Sequence, residues 1–298
     1  MSRHVSDNTL PPAGSRQPAE KIGPSREANR IAGMFDAIAP RYDLLNRLLS
    51  AGFDRRWRAR AIRSLRLTGQ ETLLDMCTGT ADVALAARRA PHRARRVIGI
   101  DFAAAMLERG HRKIHAARED DSIALLRGDA MQLPIRNGAV SALTVAFGIR
   151  NVEDATAACR EMHRVLAHGG RLAILEFAIP TMPVVRQAYL SYFTHALPML
   201  GRLISRHTTA YSYLPASVTA FPSPDRFAQL LRNVGFTDVS VNRLTLGIVY
   251  LYIATKGPGL RPFDQLGVGL SHVEGREPQG ALSESERESR ATNPRSRL

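Results

Sequence analysis

The sequence predicts an α/β fold in which helices cover both faces of a doubly wound sheet of seven strands. Two observations support this fold class. Short apolar runs alternate with amphipathic stretches, which is typical of parallel strands joined by helices. The last two apolar runs lie close enough along the chain to pair as a hairpin that completes the sheet. A chain of 298 residues with 44% hydrophobic and 23% charged residues suits a folded core of this kind.

Helices are expected first, as a cap on the sheet. Apolar side chains recur at steps of three and four residues from Leu44 to Leu65, and Ala51 and Gly52 are expected to divide the stretch into two helices. Two interpretations of their basic face stay open: a solvated surface, or a contact with an anionic membrane beside Phe53 and Trp57. The arginines of this face are Arg41, Arg47, Arg55, Arg56, Arg58, Arg60, Arg63 and Arg66.

The strands and the remaining helices follow in order. One helix is expected up to about Arg89, and others over residues 103–117, 156–166 and 224–234. Gly169 is expected to end the helix at 156–166 in a left-handed turn. An apolar stretch, 182–206, predicts a helical insert after the fifth strand, which forms either a core lid or a tunnel for an apolar chain. The expected strands are residues 72–77, 96–101, 123–130, 140–148, 171–177, 238–244 and 248–255.

The two ends of the chain have little to bury. Residues 1–30 and 258–298 are expected to be disordered tails around one domain, residues 31–257. No apolar run approaches the roughly 20 residues of a membrane-spanning helix, so the protein is expected in the cytoplasm, free or peripheral on the inner face of the membrane. Cys77 and Cys159 lack the spacing of zinc ligands, and no metal site is expected.

The net charge of +14 lies almost entirely on the body of the chain. A basic surface attracts nucleic acid, anionic lipid or an acidic substrate. The basic groove interleaved with aromatic residues that binds single-stranded nucleic acid is absent from the sequence. A transient contact with an anionic membrane surface is therefore expected, and no nucleic-acid partner.

Candidate binding residues follow the predicted strands, where doubly wound sheets bind their ligands. Asp75 lies near the end of the first strand and Gly79 in the turn after it, and the glycine lets a ligand approach the backbone closely. Asp101 ends the second strand and is suited to accept hydrogen bonds from two ribose hydroxyls. Asp129 lies at the end of the third strand and is suited to accept one from the exocyclic amine of adenine. These residue types in this order indicate a nucleoside ligand.

The turn after the first strand favours one kind of nucleoside. A dinucleotide site needs G-x-G-x-x-G there, to clear a pyrophosphate, whereas this chain has Thr-Gly-Thr-Ala-Asp. The carboxylate of Asp82 would repel a pyrophosphate but attract an amino group or a sulfonium. The expected cofactor is therefore S-adenosyl-L-methionine.

Longer motifs resemble one family. The segments MFDAIAPRYDLLNRLLSAGFDRRWR, LLDMCTGTAD, FGIRNV and RVLAHGGRLAILEF, together with the Y-x-Y-L stretch that begins at Tyr211, are similar to those of the quinone C-methyltransferases. The resemblance covers about residues 28–257. It implies a class I methyltransferase (Rossmann-like) sheet with an amino-terminal helical cap and a helical insert after strand five. It also implies cofactor contacts by Thr80, Asp101, Asp129 and Ala130.

The chain departs from the family pattern at three places. TGTAD stands where GGTGD is commoner, and this variant looks more like the menaquinone-type members. Ala146 stands where many members have serine, which removes a side-chain hydrogen bond. Asp54 stands where the family usually has histidine, which puts an acid–base role at that position in doubt.

The resemblance implies carbon methylation of a polyprenyl hydroquinone. We expect Arg150 to stabilise the phenolate, with Asn151 and Tyr42 completing a water-relayed deprotonation. His195 is a second candidate base. Plainer interpretations stay open: Arg150 as a salt-bridge partner of Glu153 or Asp154, Tyr42 as a core residue and His195 as a structural one.

The expected function is methylation of demethylmenaquinol in menaquinone biosynthesis. The alternatives are methylation of 2-polyprenyl-6-methoxy-1,4-benzoquinol in ubiquinone biosynthesis, methylation of RNA, and a catalytically silent binding subunit. The expected partners are the polyprenyl quinol and a transient anionic membrane surface, and a homo-oligomer stays open.

Overall fold

The structure, a computed structural model, describes residues 26–192, 194 and 208–258. The first helix begins at Arg26, which places residues 26–30 in a helix rather than in the expected tail. The rest of the two tails, His195 and most of the second half of the insert lie outside the described residues. The helices are α1 Arg26–Leu49, α2 Phe53–Ser64, α3 Asp82–Arg89, α4 Ala104–Ala116, α5 Ala155–Val165, α6 Pro183–Ser191, α7 Thr208–Ala220 and α8 Pro224–Val234.

The predicted seven strands form one sheet, and their order in it is β3-β2-β1-β4-β5-β7-β6. The first five are parallel, and β7 runs antiparallel to both β5 and β6, so the predicted closing hairpin is confirmed. The strands are β1 Thr72–Met76, β2 Arg96–Asp101, β3 Ile123–Arg127, β4 Val140–Ala146, β5 Leu166–Phe177, β6 Phe236–Leu244 and β7 Val249–Lys256.

The fifth strand begins earlier than the pattern predicts. Leu166, directly after α5, already pairs with Val140, and the pairing resumes at Arg171 opposite Ala142. Between these two pairs the chain leaves the ladder through Gly169, which has the predicted left-handed conformation with φ of +74°. The turn is therefore an interruption within β5 rather than a connection ahead of it.

Apolar side chains cover both faces of the sheet. Leu73 and Leu74 are neighbours in β1, have no exposed surface and belong to opposite core layers. Such continuous burial is typical of a strand inside a parallel sheet with helices on both sides. One layer packs against α5 and α8, and the other packs against α2, α3 and α4.

The cap lies over the carboxyl ends of the parallel strands. Ala51 and Gly52 adopt φ of +48° and +77°, so the chain turns there between α1 and α2 as the sequence predicts. Leu45 of α1 and Tyr189 of α6 form the centre of a small apolar cluster. No helix within the described ranges is long and apolar enough to cross a membrane.

Candidate active site

Two adjoining cavities open where the parallel strands end. The first, here called the strand-end cavity, has a volume of about 110 Å³ and is lined by residues that follow β1 to β4 and by part of α1. The second, the cap cavity, has a volume of about 440 Å³ and lies among α1, α2, α6 and the ends of β4 and β5. Phe35, Tyr42 and Phe147 line both cavities, so a group held in one is close to a group held in the other.

Asp101 is the best-positioned carboxylate of the strand-end cavity. Its Oδ2 accepts a hydrogen bond from the Gly79 amide at 2.8 Å and its Oδ1 accepts one from the Ala103 amide at 2.9 Å. Burial raises its pKa. Gly79 itself has φ of +56°, a left-handed conformation that glycine adopts without strain. The carboxylate thus holds the turn after β1 against the end of β2.

The other side of this cavity is formed after β3 and β4. Asp129 and Ala130 line it as predicted, and Asp129 Oδ1 accepts a hydrogen bond from the Met131 amide at 2.8 Å. Ala146 and Asn151 also line it, and the Oδ1 of Asn151 is buried without a hydrogen-bond partner among the described residues. The carboxylates of Asp101 and Asp129, a third from Glu153 and an unpaired acceptor on apolar walls suit a ligand with a ribose and a flat base.

Asp75 lies behind the wall of the strand-end cavity. Its side chain is 1% exposed and accepts hydrogen bonds from the hydroxyls of Thr78 at 2.6 Å and Thr144 at 2.9 Å. Burial raises its pKa to about 6. This geometry makes Asp75 a support for the turn after β1, and its contact with a cofactor stays a prediction.

Thr80 is also turned away from the cavity. Its hydroxyl donates to Asp43 Oδ1 at 2.6 Å and accepts from Lys113 Nζ at 3.0 Å. It thereby ties the turn after β1 to α1 and α4. A cofactor contact by Thr80 stays a prediction as well.

The expected role of Asp82 is wrong in this structure. Its carboxylate does not face the strand-end cavity but pairs with Lys113 of α4 and with Arg58 of α2, the latter at 3.0 Å. Lys113 also bonds Asp43, and Arg58 also bonds Asp54, so one ionic network joins α1, α2, α3 and α4. The basic groups that neutralise Asp82 come from the protein itself.

Aromatic rings form much of the cap cavity. The ring centroids of Phe147 and Phe177 are 4.5 Å apart, and Trp57 lies 5.9 Å and 6.2 Å from them. The indole nitrogen of Trp57 donates to Thr245 Oγ1 at 2.8 Å, which fixes the ring. Such a site suits a flat, apolar ring with a hydrocarbon chain.

Arg150 lines the cap cavity and is held by a partner that the sequence analysis missed. Its Nη1 donates to Glu176 Oε1 at 2.7 Å and to the Phe147 carbonyl at 2.6 Å, and Glu176 has no exposed surface. The alternative interpretation, a salt bridge to Glu153 or Asp154, is therefore wrong in its partner. The Nε of Arg150 is buried without a hydrogen-bond partner among the described residues. The sequence does contain a signal for this partner, since Glu176 is an acidic residue within the apolar run that forms β5.

Tyr42 and Asn151 complete the predicted group. Tyr42 lies where the two cavities meet, and burial raises its pKa. Asn151 lines the strand-end cavity next to Arg150 in the chain, and its Nδ2 donates to the Phe147 carbonyl at 3.4 Å. The three predicted catalytic residues thus lie at and around the junction. Among the described residues, no cluster of histidine, cysteine and acidic side chains is arranged to hold a metal ion.

Comparison with known proteins assigns the family. The sequence model of the ubiE/COQ5 methyltransferase family matches residues 24–256. The chain belongs to this family. It is 46% identical over 232 residues to the ubiquinone/menaquinone biosynthesis C-methyltransferase UbiE of Geobacter sp. (strain M21), which covers 78% of this chain and 98% of the relative. It is 39% identical over 243 residues to the demethylmenaquinone methyltransferase of Bacteroides fragilis, covering 80% and 99%.

The fold agrees with that family. A SAM-dependent methyltransferase from Thermotoga maritima superimposes with a TM-score of 0.54 at 17% identity, over 76% of this chain and 99% of the other. The predicted class I methyltransferase (Rossmann-like) fold is confirmed.

Proposed function

We propose that this methyltransferase transfers the methyl group of S-adenosylmethionine to a ring carbon of a polyprenyl hydroquinone. One observation carries the proposal: a cavity with strand-end carboxylates meets a large apolar cavity at Phe35, Tyr42 and Phe147. The names of the Geobacter and Bacteroides relatives place both of them in quinone biosynthesis.

The cofactor fits the strand-end cavity by its donor groups. Bound there, S-adenosylmethionine supplies an electrophilic methyl group on a sulfonium. Asp101 is available to accept from the ribose hydroxyls and Asp129 from the adenine amine. The buried Oδ1 of Asn151, which has no partner among the described residues, offers a further acceptor.

Arg150 is the group suited to assist the substrate. A hydroquinone ring carbon becomes nucleophilic when the neighbouring hydroxyl loses its proton, through a water relay around Arg150, Asn151 and Tyr42. The new carbon–carbon bond forms as the sulfur–carbon bond breaks, and loss of the proton on that ring carbon restores the aromatic ring. Glu176 and the Phe147 carbonyl hold the guanidinium in place before the phenolate develops, which is the arrangement that stabilises a transition state most effectively.

The preferred substrate is demethylmenaquinol. The name of the Bacteroides relative supports this choice, whereas the name of the Geobacter relative covers both quinone pathways. Purified protein should therefore transfer label from methyl-labelled S-adenosylmethionine to demethylmenaquinol faster than to the methoxybenzoquinol. Transfer to neither quinol would contradict the proposed function.

Replacing Asp101 by alanine should weaken cofactor binding about tenfold to a hundredfold, because a hydrogen bond to a charged group contributes about 1.5–3 kcal/mol. Calorimetry with S-adenosylhomocysteine measures this loss. The carboxylate also holds the Gly79 and Ala103 amides, so the loss could come from the turn alone.

A cofactor analogue separates the two causes. S-adenosylhomocysteine without its ribose 2′-hydroxyl should bind the wild-type protein more weakly than the intact compound does. The Asp101→Ala variant should bind both compounds equally, since the two changes remove the same interaction. Additive losses would show that Asp101 acts on the turn and not on the ribose.

We also propose that the cap touches an anionic membrane surface at the mouth of the cap cavity. Exposed apolar side chains stand at this mouth: Leu44 and Leu48 of α1, next in the chain to lining residues, are 54% and 51% exposed, and Phe53 of α2, itself a lining residue, is 39% exposed. Trp57 and Arg58, expected in this contact, are instead buried, with Arg58 paired to Asp54 and Asp82. The same two helices carry five exposed arginines: Arg41, Arg47, Arg55, Arg56 and Arg60.

The protein should co-sediment with vesicles that contain phosphatidylglycerol but not with pure phosphatidylcholine vesicles, and added salt should weaken the binding. Each basic residue near an anionic surface contributes about 1 kcal/mol within a Debye length. Changing four exposed cap arginines to glutamine should therefore reduce binding strongly. The four are Arg47, Arg55, Arg56 and Arg60.

A matched control removes the same charge at the opposite edge of the sheet, where β2 and β3 begin. It replaces the exposed arginines Arg93, Arg95, Arg96 and Arg118 with glutamine. This control should keep most of the binding, and both variants should methylate a short-tailed, water-soluble quinol. Equal losses in the two variants would contradict a localised contact, and salt-insensitive binding would point to the apolar side chains instead.

A further inference from the structure

Asp54 is an unusual residue for an apolar cavity. It lines the cap cavity near the start of α2, is 5% exposed, and is the only carboxylate among the described lining residues. Its Oδ1 accepts from the Ser50 hydroxyl at 3.0 Å and its Oδ2 accepts from Arg58 Nη1 at 2.7 Å. The proposed reaction gives this side chain no role.

The carboxylate is oriented but not saturated. A carboxylate offers about four acceptor positions, and the side chains that donate to Asp54 occupy two of them. Arg58, which belongs to the ionic network, pairs with the Asp54 carboxylate and with Asp82 through the same guanidinium. Ser50 and Arg58 thus fix the direction of Asp54 at the cavity wall and leave acceptor capacity for a ligand.

Hydrogen-bond type sets Asp54 apart from the other polar side chains of the cap cavity. Arginine and tryptophan only donate, while the hydroxyl and amide side chains both donate and accept. Among the described lining side chains, Asp54 alone accepts without being able to donate while ionised. It therefore distinguishes a ligand hydroxyl, which donates, from a ligand carbonyl, which does not.

We infer that Asp54 accepts a hydrogen bond from a hydroxyl of the substrate ring and so selects the hydroquinone over the quinone. The inference rests on the proposed function, in which the cap cavity holds the ring. A quinone would bring a carbonyl oxygen against the carboxylate and leave both without a proton to share. Arg150 provides no such selection, because a guanidinium donates to a carbonyl as well as to a phenolate. Asp54 is thus a specificity-determining residue that excludes the unreactive oxidation state.

The single tryptophan of the chain provides the test, because Trp57 lines the same cavity. Its fluorescence reports binding of a naphthoquinol with one isoprene unit, kept reduced with dithionite, and of the matching naphthoquinone without reductant. Wild-type protein should bind the naphthoquinol more tightly. In Asp54→Asn the amide is able to donate to a carbonyl, and the ratio of the two dissociation constants should shrink about tenfold.

Asp82→Asn is the matched control, because it removes the other acid on Arg58 from a position that does not line the cap cavity. It should keep the wild-type ratio, and all variants should bind S-adenosylhomocysteine normally. Asp54→Ala, which has no polar side-chain group, should also lower the ratio and replaces Asp54→Asn if that variant does not fold. A wild-type ratio in the folded Asp54 variants would overturn the inference, as would an equal change in Asp82→Asn. Failure of the wild-type protein to bind either ring would overturn the proposed function itself.

Discussion

Arg150→Ala should lower turnover about 10²–10³-fold while the affinity for S-adenosylhomocysteine stays close to that of the wild type. Losing one preorganised electrostatic stabiliser has an effect of this size. Arg150 lines the cap cavity and not the strand-end cavity, which is why the two effects should separate. Single-turnover methylation and calorimetry measure them. Arg150→Lys should recover little, because the ammonium cannot reproduce the guanidinium fork.

The buried ion pair between Arg150 and Glu176 complicates the interpretation of Arg150→Ala, because that substitution also lowers stability. Glu176 has no exposed surface, and removing one member of a buried ion pair costs about 3–5 kcal/mol because the other charge loses its partner. Arg150→Met combined with Glu176→Gln removes both charges and keeps the side chains of similar size. The double variant should regain most of the lost stability in urea unfolding.

The turnover of the double variant distinguishes a structural role of Arg150 from a catalytic one. If Arg150 acts on the phenolate, the stable double variant should remain as slow as Arg150→Ala. Recovery of turnover together with stability would mean that Arg150 only supports the fold. Near wild-type turnover in Arg150→Ala would contradict the proposed mechanism altogether.

The binding residues at the strand ends could be predicted because the rule that gathers them is local. Each apolar run shows where a strand ends, and parallel strands bring their carboxyl ends to one edge. Gly79, Asp101 and Asp129 are far apart in sequence and line one cavity for this reason. The same rule does not show which way a side chain turns. Asp75 lies near the end of β1 and Thr80 in the turn after it, yet Asp75 faces two threonines and Thr80 faces an ionic network.

Pairing between helices could not be predicted, because it depends on their packing. Helical periodicity groups Trp57 and Arg58 with the basic stretch but does not show that α3 and the end of β5 cover them. Arg58 meets Asp82 across 24 residues of sequence. Because of this pairing, Arg58 is buried and does not reach the surface that was expected to contact a membrane. For the same reason Asp82 does not face the site that was expected to hold the sulfonium, so the two wrong predictions have one physical cause.

Acids next to apolar residues of buried elements were the sequence signal for the two ion pairs. Glu176 interrupts the apolar residues of β5, and Asp54 lies in the first turn of α2, a helix whose buried face includes Trp57 and Ile62. A buried carboxylate is costly unless it is paired, so each of them required a basic partner. The sequence does not say which arginine that is, since the partners are Arg150 and Arg58 on different elements.

Asp75 should make the protein less stable as the pH rises from about 4 to about 7. Burial raises the pKa of this carboxyl from 3.8 to about 6, so the folded protein keeps a proton that the unfolded chain has released. The stability that Asp75 contributes is complete below its unfolded pKa and is lost as the pH rises through its folded pKa. The difference of about two pKa units corresponds to about 3 kcal/mol in the free energy of unfolding.

Asp75→Asn should remove this part of the pH dependence. The amide is able to accept from one threonine hydroxyl and donate to the other, so the contacts with Thr78 and Thr144 survive without a titrating proton. Urea unfolding at several pH values should give a gap between variant and wild type that grows by about 2.4 kcal/mol from about pH 4 to about pH 7, most of the full difference. Asp121→Asn, the same change of charge at an exposed position, should show no such growth.

The same variant also tests whether Asp75 touches the cofactor. Since its carboxylate lies behind the wall of the strand-end cavity, Asp75→Asn should bind S-adenosylhomocysteine about as tightly as the wild type. A parallel pH profile for variant and wild type would contradict the raised pKa. A marked loss of affinity with an unchanged free energy of unfolding would instead support a direct contact, because a supporting residue affects the cavity only through the stability of the turn that it holds.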